Sequence, residues 1–191
     1  MQSSTATGQS TLVQRMIRAA RLEPDLYEEV EADQTATNDA LIVVVIAAVA
    51  AGISAGIATM MSNRPGGLAG SVIGEIIGAI IGWLIWSYIT YFIGTRLFDG
   101  RATPGELLRT IGFSHAPGVL NILGFIPVIG PLIRLVVFFW LLVAGVLAVR
   151  QALDFDTGKA ILTTIIGWLV PVVIFIVLGL LGFGAAMAFG R

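Results

Sequence analysis

From residue 40 onward the chain alternates long apolar stretches with short polar breaks, whereas its first 39 residues are polar. A helix needs about twenty residues to cross the ~30 Å hydrocarbon core of a bilayer. Residues 40–61 meet that length without a charge, and Asp39 with Asn38 stands where a helix cap belongs. A second span is expected within 68–94. Its single charge is Glu75, and Trp83, Trp86, Tyr88, Tyr91 and Phe92 gather toward its far end, as aromatic rings do near headgroups. Glycine, proline and charge mark 94–106 as a loop. Residues 107–133 are apolar but broken by Pro117, Pro127 and Pro131. Residues 131–149 form a further span with Arg134 near its start. After a polar loop at 150–159 comes a final uncharged run, 160–190. It contains Pro171 and exceeds one bilayer width, so it must tilt, kink or overhang. The expected fold is all-α: a polytopic transmembrane bundle of about five spans behind a cytosolic tail.

Composition agrees. Apolar residues make up 57% of the chain and charged residues 12%, where a soluble domain carries roughly 25% charged. The net charge of -1 gives no reason to expect a nucleic-acid partner. Cysteine is absent, which removes disulfides and thiolate chemistry. The first apolar run follows a polar segment and has no small-x-small site beside it, so it should insert as an uncleaved anchor. With five spans and the N-terminus inside, eight Lys and Arg residues lie on the cytosolic side and three outside. A re-entrant 107–133 segment would give the same tally. Charge fixes the N-terminus inside without choosing between four spans and five.

The tail has three parts. Residues 1–11 are small and uncharged, as in a disordered segment. On a helical wheel of 12–22, Leu12, Val13, Met16, Ile17 and Ala20 share one face, and Arg15, Arg18 and Arg21 share the other. Such a short amphipathic helix either lies in the membrane interface, with its arginines at anionic headgroups, or docks on the protein's own bundle. Residues 23–33 then carry six acidic side chains, which form a solvated face or a handle for a cytosolic protein partner.

Glycine gives the sharpest pattern. Gly66, Gly70, Gly74, Gly78 and Gly82 recur every fourth residue, Ala48, Gly52 and Gly56 do so on the first span, and Gly182, Ala186 and Gly190 on the last. Small residues let helix backbones approach closely in lipid. The expected contact joins the first and second spans, with a homo-oligomer interface as the alternative. Polar groups within the membrane are functional suspects. Glu75, His115 and Asn121 form the candidate polar site, with Pro117 freeing the carbonyl of Phe113 nearby. A lone histidine cannot build a multi-histidine metal site, and no catalytic or cofactor motif is present.

The segment GFSHAPGVLNILGFIPVIGPLI, the Trp140-Leu141 pair and VLAVRQALDFDTGKAILTTII resemble the Yip (Ypt-interacting protein) domain family, particularly its prokaryotic branch. The resemblance runs from about residue 12 to residue 181, and its specific segments begin at Gly112. Asp25-Leu26-Tyr27 resembles a tail motif of eukaryotic members, but Glu28-Glu29 follows where those have Gly-Pro, so no partner role carries over. The resemblance implies a five-span domain over 40–191, a cytosolic tail over 1–39 and a C-terminus outside, in a prokaryotic plasma membrane. Eukaryotic relatives are linked to vesicle traffic and membrane shaping. The expected function is therefore a non-enzymatic membrane scaffold or adaptor, binding no cofactor. The alternative is a small transporter or channel component with a polar path near Glu75, His115 and Asn121.

Overall fold

A computed structural model of the chain describes residues 10–62, 67–170 and 173. Apart from short connections these residues are helical, without strands. Helices α1 (Leu12–Ala20) and α2 (Pro24–Ala32) form the tail. Helices α3 (Ala36–Met61), α4 (Gly67–Leu97) and α6 (Ile129–Ala152) are each long and apolar enough to cross a membrane. Between α4 and α6 lie α5 (Pro104–Ser114) and a 3-10 helix (Ala116–Phe125), and α7 (Thr157–Val170) follows α6.

The broken third segment has a clear physical cause. Thr103 and Glu106 cap α5 reciprocally: the Glu106 N–H donates to the Thr103 hydroxyl at 3.3 Å, and the Thr103 N–H donates to the Glu106 carboxylate at 2.7 Å. Pro117 cannot donate an amide proton, so the α-helix ends at Ser114 and the chain tightens into 3-10 geometry. Carbonyl groups left at that junction need donors, and the Ile111 oxygen receives Ser114 Oγ at 2.7 Å and His115 Nδ1 at 2.8 Å. The broken pair nevertheless runs along α3. A Cβ placed on Gly112 would lie 2.6 Å from Ala40, one on Gly118 3.2 Å from Ala47, and one on Gly124 3.0 Å from Ser54. From Ala40 to Ser54 α3 advances roughly 21 Å. The third segment therefore keeps pace with it, in the same direction. A strained turn at Val128, with φ at 67°, then reverses the chain into α6.

The two glycine series sit differently in the structure. On α3, a Cβ at Gly52 would lie 2.6 Å from the Val72 Cα, and one at Gly56 2.8 Å from the Leu68 Cα. On α4 the partners are Leu68, Ser71 and Val72. Gly70, Gly74, Gly78 and Gly82 lie off that contact, with no atom of the described residues within 4 Å of a Cβ at any of them. A fourfold repeat shows which residues share a face, not where the face points. The last-span series Gly182, Ala186 and Gly190 lies outside the described residues.

Substitution should separate the two series. Gly52→Ala forces the α3 and α4 backbones apart and should lower stability by roughly 1–3 kcal/mol. Gly74→Ala and Gly78→Ala should leave the thermal midpoint of the detergent-solubilised protein unchanged. Equal losses at positions 52 and 74 would contradict this packing.

Candidate functional site

The tail is built on charge pairing. Thr11 and Gln14 form a capping box that starts α1, with hydrogen bonds of 2.9 and 3.3 Å. The helix turns Arg15 inward. Its guanidinium lies 3.0 Å from Glu29, 2.9 Å from Asp33 and 3.3 Å from Asp39, and its side chain is only 9% exposed. Arg18 pairs with Glu23 at 3.1 Å and with Glu29 at 2.5 Å. Two of the three arginines expected at lipid headgroups are thus held by the acidic segment itself. Glu23, Glu29 and Asp33 are correspondingly engaged, rather than forming a free handle. Opposite charges as far as 24 residues apart meet within the chain because Leu22, with φ at 61°, turns α2 back toward α1.

Side chains of the bundle and of α2 complete the docking. Carbonyl groups at a helix C-terminus lack partners within the helix. Trp140 Nε1 donates to the Ala20 carbonyl at 2.8 Å, and the Tyr27 hydroxyl donates to that of Ala19 at 3.3 Å. Arg109 of α5 is buried and caps α2, donating Nε to the Val30 carbonyl at 2.9 Å and Nη2 to that of Glu31. Gln151 donates to Glu28 at 2.6 Å. Leu26, Tyr27 and Val30 are fully buried between these contacts.

Docking by its polar face leaves the apolar face of α1 outward. Val13 is 63% exposed and Ile17 47%. With Met16 and Ala20 they border an apolar groove of about 410 Å³, whose other walls include Ile46 of α3, Leu120 of the 3-10 helix and Trp140 of α6. The two placements that the sequence left open, interface or bundle, are thus compatible in one helix.

The three candidate polar residues do not form one site. Glu75 and Asn121 line a shared notch with Ser54 and Arg134. His115 lies apart, in an apolar cavity of about 310 Å³ walled by Trp83, Trp86 and Trp168. Its ring meets Trp86 edge-on, with 6.2 Å between centroids. Among the described residues there is no cluster of His, Asp and Glu fit for a metal ion.

A helical bundle with three membrane-length apolar helices and a polar tail clamped to one end is a polytopic membrane protein. Its family is also defined: the Yip1 domain matches residues 25–186, and the chain belongs to that family. No curated protein and no solved structure matches it. Sequence pattern alone gave Arg109 and Trp140 no role in holding the tail. The sign reversal from Arg15 and Arg18 to the acidic run was the available signal for the clamp.

Carboxylate titration gives the docking a pH optimum. For Glu29, burial would raise the pKa, but hydrogen bonds from Arg18, Ser10 and Arg15 outweigh it and hold the group below its ordinary 4.5. The Thr35 hydroxyl and Arg15 hold Asp33 below its ordinary 3.8. A depressed carboxylate contributes stability that is present above its unfolded value and lost as pH falls through the folded one. Glu31 runs the other way. Burial first, then the charges of Glu28, Glu106 and Asp154, push it up to about 7, against a lowering by Arg109. Its contribution is present below 4.5 and lost as pH rises through about 7. Hydrogen-exchange protection of α1 and α2 should therefore peak between these limits. Glu31→Gln should flatten the alkaline limb, and Arg15→Gln should lower protection by roughly 2 kcal/mol and weaken the acid limb. Protection independent of pH in the wild type would refute the clamp.

Proposed function

We propose that this Yip1-family protein is a non-enzymatic membrane-organising scaffold whose α1 acts as an interfacial wedge. The observation that carries the reading is the orientation of α1: Arg15 is buried among carboxylates while Val13 and Ile17 face outward beside Ile46 and Leu120. A helix held this way adds apolar volume to one leaflet without depending on lipid charge, because Arg15 and Arg18 are already paired. The reading places the tail in the cytosol, as the eight-to-three bias of Lys and Arg favours, and has the chain cross the bilayer five times. A transport path is the weaker reading, since His115 is separate from the notch that holds Glu75 and Asn121.

Two measurements test the proposal. With no native cysteine, single cysteines can report sidedness to an impermeant thiol reagent. Positions 101 and 156 should label from the cytosolic side and position 191 from the other; labelling of 156 and 191 from one side would end the five-crossing topology. For the wedge, full-length protein reconstituted at high density should curve vesicles, and Val13→Asp with Ile17→Asp should abolish that activity while α2 stays protected. The effect should persist on neutral lipids and in high salt. Curvature unchanged in the double variant would remove the wedge.

A further inference from the structure

A second feature lies at the end of the bundle away from the tail. Four elements bring Ser54 of α3, Glu75 of α4, Asn121 of the 3-10 helix and Arg134 of α6 around one notch of about 260 Å³. Ser54, which lines the notch, is 1% exposed, and its buried hydroxyl has no hydrogen-bond partner among the described residues. Gly124 makes the convergence possible. A Cβ there would lie 2.6 Å from Arg134 Nε and 3.0 Å from Ser54 Oγ, so both groups occupy space that any other residue would fill. Glu75 and Arg134 face the notch without pairing with each other, and neither joins an ion pair among the described residues.

Depth and charge together specify the ligand. Helix α4 has 31 residues and spans roughly 46 Å, about 16 Å more than the hydrocarbon core. Glu75 stands eight residues from the start of that helix at Gly67, roughly 12 Å in, close to the boundary between acyl chains and headgroups. A purely anionic ligand would satisfy Arg134 and oppose Glu75, and a cation would do the reverse. A molecule carrying both signs a short distance apart satisfies both. We propose that the notch formed by Ser54, Glu75, Asn121 and Arg134 binds the zwitterionic headgroup of a phosphatidylethanolamine. Arg134 holds the phosphate, as guanidinium groups do through charge-assisted hydrogen bonds. Glu75 accepts from the primary ammonium, and the Ser54 hydroxyl and Asn121 amide complete the polar lining. Choline has no N–H to donate to Glu75, so phosphatidylcholine fits less well. Leu120 and Leu123 on the element that carries Asn121, and Leu132 and Leu135 on the helix that carries Arg134, are exposed apolar side chains, and Ala51 and Ala55 add apolar wall to the notch itself.

The test uses the full chain in nanodiscs of defined mixed lipid, followed by native mass spectrometry of the lipids retained on extraction. Wild type should retain phosphatidylethanolamine about tenfold over phosphatidylcholine and phosphatidylglycerol, the effect of one charge-assisted hydrogen bond. Glu75→Gln should erase the preference over phosphatidylcholine while keeping the thermal midpoint of wild type. Arg134→Gln should lower retention of all three lipids, and Gly124→Ala, which crowds Arg134, should do so partially. Soluble phosphoethanolamine should compete only at far higher concentration. No headgroup preference in the wild type, or a preference that survives Glu75→Gln, would overturn the site. Equal competition by the soluble zwitterion would overturn the lipid assignment.

Discussion

Close approach of other backbones to α3 is the constraint on which the rest of the structure depends. Lipid tails are as apolar as leucine, so helices in a bilayer gain little from hiding apolar surface from one another and depend on fitted contact. α3 provides that fit through small residues: Ala40, Ala47, Gly52, Ser54 and Gly56 meet α5, the 3-10 helix or α4 with almost no side chain between. The partner surfaces are small in turn, at Gly112, Gly118 and Gly124. This contact fixes the path of a third segment whose own hydrogen bonding is interrupted at Pro117. The regular helix supplies the straight edge along which the irregular one is laid.

The tail obeys a different demand, the need of polar groups for partners. Its two helices are short, and helices of nine residues are marginal in isolation. They persist here because their terminal carbonyls receive donors from Trp140, Tyr27 and Arg109, and because Arg15 gathers carboxylates from α2, from the turn after it and from α3. The result inverts the usual arrangement of an amphipathic helix on a soluble protein. The charged face points in and the apolar face points out, which is stable only where something apolar lies outside.

These two demands explain what could be read from the sequence and what could not. Hydropathy and length are additive along the chain, so α3, α4 and α6 were legible, with ends within a few residues of 40–61, 68–94 and 131–149. The all-helical class followed from them. Facing was not legible. In a soluble helix the apolar side marks the core, but Gly74 and Gly78 sit on a helix that is apolar all round, and nothing in their spacing distinguishes a neighbour from lipid. The three-way meeting of Arg15 with Glu29, Asp33 and Asp39 was legible in charge but not in geometry, because it needs the reversal at Leu22. For the candidate polar residues, sequence proximity misled. His115 and Asn121 are six residues apart, and in a 3-10 helix that distance is roughly 12 Å along the axis, enough to put them at different depths.

That separation bears on what the interior can do. Glu75 and Ala79 occupy successive turns of α4, and Ala79 lines the cavity of His115 while Glu75 lines the notch. The two spaces are therefore stacked along one helix face. An ion passing between them would exchange the carboxylate, guanidinium and amide of the notch for a chamber walled chiefly by Trp83, Trp86, Leu141 and Trp168. Desolvating a charge into such surroundings is expensive unless polar groups replace its water. The chamber offers His115, Ser114 and the Trp86 indole N–H, which is unpartnered among the described residues and can only donate; the Ser114 hydroxyl and one His115 nitrogen already serve the Ile111 carbonyl. Ser114 and His115 thus close the hydrogen bonds of a broken helix. In the headgroup site we propose, the polar groups of the notch meet a lipid near the membrane boundary without any ion crossing the bundle. On the proposed reading, the charge of this bundle serves structure inside and lipid contact at its rims.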